Sequence, residues 1–168
     1  MASPDSLPLD ISMGSVYEGD MISKGDLRFN CCESVLIRIE RESPLPGFDN
    51  DVMRIASAFG GGVAGWGSVC GAVSGVAMAL GLIYGTEGDE HPDEFHGKRD
   101  RLRDKTQRFL KVFEEEFGSV NCMNLLGVDR RTEEGRRHYD ELKAQGAFHC
   151  GEYVEWAAEK VLEMLDGR

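Results

Sequence analysis

The sequence predicts an all-α, single-domain fold, a bundle of about five to seven helices around a central helix rich in glycine and alanine. Three observations carry this. From residue 30 onward apolar residues recur at helical spacings, and no convincing period-2 alternation interrupts them. Glycine or proline stands at nearly every break between the periodic segments. The stretch from Gly65 to Gly85, GWGSVCGAVSGVAMALGLIYG, has no charged residue in a chain that is 29% charged, the composition of a helix enclosed by others. At 168 residues the chain is long enough to bury one real core.

Residues 1–28, punctuated by Pro4, Pro8, Gly14, Gly19 and Gly25, read as an irregular arm ahead of a helical domain over 29–168. Ile11, Val16, Tyr17, Ile22 and Leu27 are the arm residues able to dock on the body. Asn30-Cys31-Cys32-Glu33 has the spacing of a capping box, and Val35, Leu36 and Ile39 follow on one face. That helix should stop near Glu42, before Ser43-Pro44-Leu45-Pro46-Gly47. A short helix from about Asn50 to Phe59 is ended by Gly60-Gly61-Gly62. The uncharged stretch supplies a third, roughly Ser68 to Tyr84, with Gly67, Gly71 and Gly75 along one face for close packing. A fourth runs from about Asp93 to Phe117, with Leu102, Phe109, Leu110, Phe113 and Phe117 as its apolar stripe and Gly118 as its stop. A turn from Asn121 to Leu126, a polar helix from Thr132 to Ala144, and a last helix from about Gly151 to Leu165 complete the chain. The last helix carries Val154, Ala158, Val161 and Leu165 on one face.

The uncharged region from Ile55 to Thr86 is long enough to cross a bilayer, but it holds nine glycines, and Gly60-Gly61-Gly62 would break a helix where lipid requires every backbone group paired. Gly60 to Gly65 matches G-x-G-x-x-G, yet no strand precedes it, so a phosphate loop is not expected. Nineteen basic against thirty acidic residues give a net charge of −11, which disfavours nucleic acid and anionic membranes as partners. A docking partner should be basic or should meet apolar surface. Residues 2–10 have neither a basic start nor an apolar core, so no secretory signal is read and a cytoplasmic location is expected. In that setting five cysteines point to metal or redox thiols more than to structural disulfides.

Four of the five stand at expected helix starts. Cys31 follows Asn30, Cys70 lies in the first turn after Ser68, Cys122 follows Asn121, and Cys150 precedes the last helix. Free amides and partial positive charge at a helix start lower a thiol's pKa, and Cys70 is the position expected to gain most. The gaps of 39, 52 and 28 residues contain no C-x-x-C, so spacing alone leaves inert core thiols open as well. His149 beside Cys150 could ligate a metal or assist that thiol, while His91, His96 and His138 read as solvated. Met53, Met78, Met123 and Met164 read as core fillers, Glu114-Glu115-Glu116 as a solvated helix end, and Trp66 as a shield for the cysteines or a packing residue.

Asn30-Cys31 with Ser34-Val35-Leu36, Ala58-Phe59-Gly60-Gly61-Gly62, Cys70-Gly71-Ala72-Val73-Ser74-Gly75 with Leu80-Gly81-Leu82, Phe117-Gly118-Ser119 with Cys122, and Cys150 resemble, in order, the C-GCAxxG-C-C family, described as redox-active. The resemblance covers about residues 28 to 165. Val69 precedes the central cysteine, and Gly71 separates it from Ala72, so the literal Gly-Cys-Ala is varied here. Cys31, Cys70, Cys122 and Cys150 fall on the family's positions, and Cys32 is extra. The resemblance implies a small soluble redox or electron-transfer protein. A related domain in split-Soret cytochromes holds an iron–sulfur centre, which implies by analogy a [2Fe–2S] cluster on those four cysteines. A cluster-free dithiol–disulfide protein and a zinc-binding structural or assembly module are the alternatives. There is no C-x-x-C-H for haem and no identifiable catalytic triad. The partner implied is a redox protein, and a homodimer is compatible with the reading.

Overall fold

The protein is described by a computed structural model covering residues 21–24 and 26–166. Most of the expected arm, including Pro4, Pro8, Ile11, Gly14, Val16, Tyr17, Gly19 and Gly25, lies outside the described residues. The part that is described differs from the sequence expectation. Ser23–Lys24 (β1) and Leu27–Arg28 (β2) pair antiparallel, Ser23 opposite Arg28 and Lys24 opposite Leu27. Two residues per strand are too few for any alternation to register in the sequence. Ile22 docks against Ile37 and Met53, as an arm anchor should, whereas Leu27 points outward.

Seven α-helices follow among the described residues, and the fold is all-α apart from that hairpin. They are α1 (Cys31–Glu42), α2 (Asn50–Ala56), α3 (Gly71–Tyr84), α4 (Pro92–Phe117), α5 (Cys122–Leu126), α6 (Glu133–Ala144) and α7 (Cys150–Asp166). The start of α1 is a complete capping box. Asn30 Oδ1 accepts from the Cys32 and Glu33 amides at 2.9 and 3.1 Å, and Glu33 Oε2 accepts from the Asn30 amide at 2.7 Å. Asp49 caps α2, which tightens into a 3₁₀ turn over Ser57–Phe59 before the glycines. Pro92 occupies the first turn of α4, and Gly118 in the left-handed conformation closes it.

The core is built by α1, α3, α4 and α7. Helix α3 packs against the other three, and α7 packs against both α1 and α4. Only a slim helix can sit so centrally. A Cβ on Gly75 would lie 2.8 Å from the Cys32 carbonyl and 2.9 Å from Val35 Cβ, and one on Gly71 would lie 2.9 Å from Cys31 Cβ. The two glycines let α3 approach the backbone of α1. Gly67 does not share that face: it belongs to the preceding loop, at φ +84, against Met123. The stripe on α4 and the face of α7 meet through rings, Phe113 with Trp156 at 5.7 Å and Phe117 with Tyr153 at 4.9 Å. Val154, Ala158, Val161 and Leu165 are all buried, and Arg38 of α1 pairs with Glu155 of α7 at 3.0 Å. Among the described residues no helix is long and apolar enough to cross a membrane.

The segment between Phe59 and Cys70 departs most from the sequence expectation. Helix α3 begins at Gly71, not Ser68, because the Ser68 carbonyl and the Cys70 amide pair with Cys122 and Val120, and ahead of them Gly61, Gly62, Val63, Ala64 and Gly65, all at positive φ, wind a left-handed turn. Its amides bond back far along the chain, Ala64 to the Ala58 carbonyl at 2.8 Å and Gly65 to the Gly60 carbonyl at 2.9 Å. For the β-branched Val63, at φ +59, this conformation is strained.

Candidate thiol site

Each of the four family-position cysteines is delivered by a different local device. The Asn30 cap holds Cys31 as the first residue of α1, and the Asn30 Nδ2 donates to the Ser57 carbonyl at 3.1 Å, tying that helix start to the end of α2. Cys70 and Cys122 are joined through the backbone. The Cys70 amide donates to the Val120 carbonyl at 2.8 Å, and the Cys122 amide donates to the Ser68 carbonyl at 2.8 Å. Val69 and Asn121 form an isolated antiparallel bridge between them. Gly62 permits this, since a Cβ there would meet Cys122 Cβ at 2.8 Å. Cys150 opens α7, whose aromatic contacts with α4 fix its height.

These placements bring Cys150 close enough to Cys31 for the two thiols to shift each other's pKa. The interaction with Cys150 is the largest cause of a Cys31 pKa below the ordinary thiol range. The Cys31 and Gly61 amides and the positive charge of Arg130 act in the same direction, against burial. Cys150 moves the other way, because its interaction with Cys31 favours the protonated form; burial and the charge on Cys31 add to the rise. Both side chains are partly exposed.

Cys70 does not behave as its helix start suggests. The amides of Ala72 and Val73 pull its pKa down, but the thiol is 3% exposed, and burial pushes it up to about 12, with the charge on Cys31 adding to the rise. Burial likewise takes Cys122 to about 11. At Cys31 the pKa does fall, through Cys150 more than through the helix-start amide. Cys32, the extra cysteine, is fully buried and points its sulfur at Met78 Sδ, 3.5 Å away; burial raises it to about 12.

All five cysteines are free. As donors, four thiols suit an iron–sulfur cluster or zinc. As geometry they do not meet the requirement, since among the described residues no three Cys, His, Asp or Glu side chains gather closely enough to hold a metal ion. Cys70 and Cys122 feel the charge of Cys31, and Cys150 is the thiol that acts most strongly on it.

Arg130, Tyr139 and Phe148 carry no signal in the sequence, and Gly61 reads there only as a helix stop and part of the family pattern. Arg130 lays its guanidinium 4.1 Å over the Tyr139 ring, and Tyr139 stacks on Phe148 at 4.8 Å, two residues before Cys150. Gly61 supplies an amide to Cys31. No local periodicity marks them, because all lie in loops or on a helix without buried residues. His149 faces solvent near Glu152 at 3.4 Å, and Trp66 is 62% exposed, so neither covers the thiols. Glu114, Glu115 and Glu116 are exposed as expected.

A family model described as "Putative redox-active protein (C_GCAxxG_C_C)" matches residues 29–164. No curated protein and no solved structure matches the chain.

Proposed function

The chain belongs to the C_GCAxxG_C_C family of redox-active proteins, and from that membership we propose that it is a thiol–disulfide redox protein whose working pair is Cys31 and Cys150. The observation that carries the reading is that two partly exposed thiols, the first residues of the packed helices α1 and α7, are each the largest cause of the other's opposite pKa shift. One member is kept as a nucleophilic thiolate and the other as its protonated reserve.

The chemistry balances with a disulfide on a redox partner. The Cys31 thiolate attacks one sulfur of that disulfide, a mixed disulfide forms, and the partner's other sulfur leaves as thiolate. Bonding at Cys31 removes the negative charge that had raised the Cys150 pKa, so Cys150 gives up its proton and attacks Cys31. The Cys31–Cys150 bond forms and the partner's second thiolate leaves. Two electrons pass to the partner, whose two thiolates take protons from Cys150 and solvent. The reverse sequence oxidises a partner dithiol. In this reading the buried thiols of Cys70 and Cys122 stay reduced.

The test is anaerobic purification with a visible spectrum, metal analysis and thiol titration on one sample. A colourless, metal-free protein that loses both thiols on mild oxidation, with Cys31 and Cys150 linked in its peptide map, is the expected result. Cys32→Ser should behave likewise, and Cys31→Ser and Cys150→Ser should lose the change. Visible absorption with stoichiometric iron and sulfide would overturn it in favour of a [2Fe–2S] cluster on Cys31, Cys70, Cys122 and Cys150. Bound zinc would replace it with a structural module.

A further inference from the structure

Four arginines pair with carboxylates: Arg38 with Glu155 at 3.0 Å, Arg54 with Asp51 at 2.6 Å, Arg103 with Asp100 at 3.3 Å and Arg131 with Asp129 at 2.7 Å. Arg130 does not. Among the described residues no carboxylate lies within ion-pair distance of it, although the chain carries thirty acidic side chains. Its guanidinium is instead held by shape. A Cβ on Gly61 would come 2.6 Å from Nη1, and one on Gly65 would come 3.4 Å from Nη2, so those two glycines leave the slot it occupies. The Tyr139 ring backs it at 4.1 Å, and Phe148 backs that ring. The left-handed turn that forms the slot also presents the Gly61 amide to Cys31.

Resting on the reading of Cys31 and Cys150 as the working pair, we infer that Arg130 determines specificity. Its guanidinium, seated between Gly61, Gly65 and Tyr139 with no carboxylate of its own, favours disulfides that carry a carboxylate beside the reacting sulfur. The substrate class is an anionic disulfide. The preference runs against the molecule's net charge of −11, which by itself would repel such a substrate and attract a cationic one.

The experiment compares two probes on the fully reduced protein, the dianionic disulfide of 2-nitro-5-thiobenzoate and the dication cystamine. In each, the Cys31 thiolate forms a mixed disulfide, the probe's S–S bond breaks, and one thiolate leaves. This is a single step at Cys31, read whether or not a Cys31–Cys150 bond follows, so its failure is separable from failure of the disulfide reading. The anionic-to-cationic rate ratio should fall about tenfold in Arg130→Met and be mostly retained in Arg130→Lys. In the unsubstituted protein added salt should lower the ratio, whereas control by the net charge would make salt raise it. A ratio unchanged in Arg130→Met with helical circular dichroism intact, or one that rises with salt, would overturn the inference. Should Arg130→Met not fold, the salt response decides.

Discussion

Amides at a helix start act on any sulfur they face, yet Cys31 and Cys70, each at such a start, shift in opposite directions. The difference is what else each sulfur meets. Cys31 is partly exposed and has Cys150 acting on it, while Cys70 is buried in the main hydrophobic core. A helix start could be read at both from the sequence, because capping residues lie within a few positions. Burial could not, since it depends on elements far away in the chain. Cys31 should therefore alkylate with a midpoint below the ordinary thiol range, and Cys150→Ala should raise that midpoint and slow the reaction at neutral pH. Iodoacetamide rates followed against pH on both proteins check this. Backbone strain gives a second expectation at this scale. Val63→Gly removes a β-branched side chain from φ +59 and should stabilise by about 1 kcal/mol, read by urea unfolding.

Among the elements, α3 tests the packing argument on its own length. Gly75→Ala drives a methyl into the backbone of α1 and should cost about 1–3 kcal/mol. Gly81, on the same helix, has open space where a Cβ would go, and Gly81→Ala should stabilise by about 0.5–1 kcal/mol. Opposite signs from one substitution in one helix, measured by thermal unfolding, separate close approach from helix propensity. The ends of α1, α4 and α6 were legible because Asn30 with Glu33, Pro92 with Gly118, and Thr132 act within a single turn. The start of α3 was not. Gly65 to Val69 is as apolar as the helix it precedes, and only its long-range hydrogen bonds to the α5 segment hold it out of the helix. The same blindness hid the Arg130 slot, which exists only once the glycine loop and α6 are brought together.

For the whole molecule, the buried thiols set a limit on alkaline stability. Burial pushes Cys32 and Cys70 up to about 12 and Cys122 up to about 11 in the folded protein, against 9.0 for an ordinary thiol. Below pH 9 both states keep these protons and the stability is fully present. Above it the unfolded chain loses protons that the folded one retains, and stability falls by about 1.4 kcal/mol per thiol per pH unit until the folded values are reached. Cys31, shifted down, has the opposite sign: its contribution is present above pH 9 and is lost as pH falls through its folded value. Urea unfolding of the reduced protein should show a steep loss between about pH 9 and 11, made shallower by Cys122→Ala. Oxidation should act in the other direction. A Cys31–Cys150 bond would close a loop of about 120 residues and stabilise by about 4–5 kcal/mol if it forms without strain.

The interaction between the first residue of α1 and the first residue of α7 also has a meaning in time. Synthesis delivers α1 to the solvent early and α7 late. Through that interval Cys31 lacks Cys150, which is the largest cause of its thiolate character. A nascent or stalled chain lacks that largest contribution and carries a less acidic thiol at that position. In the proposed function, the full thiolate character arrives only when the last helix docks on the first.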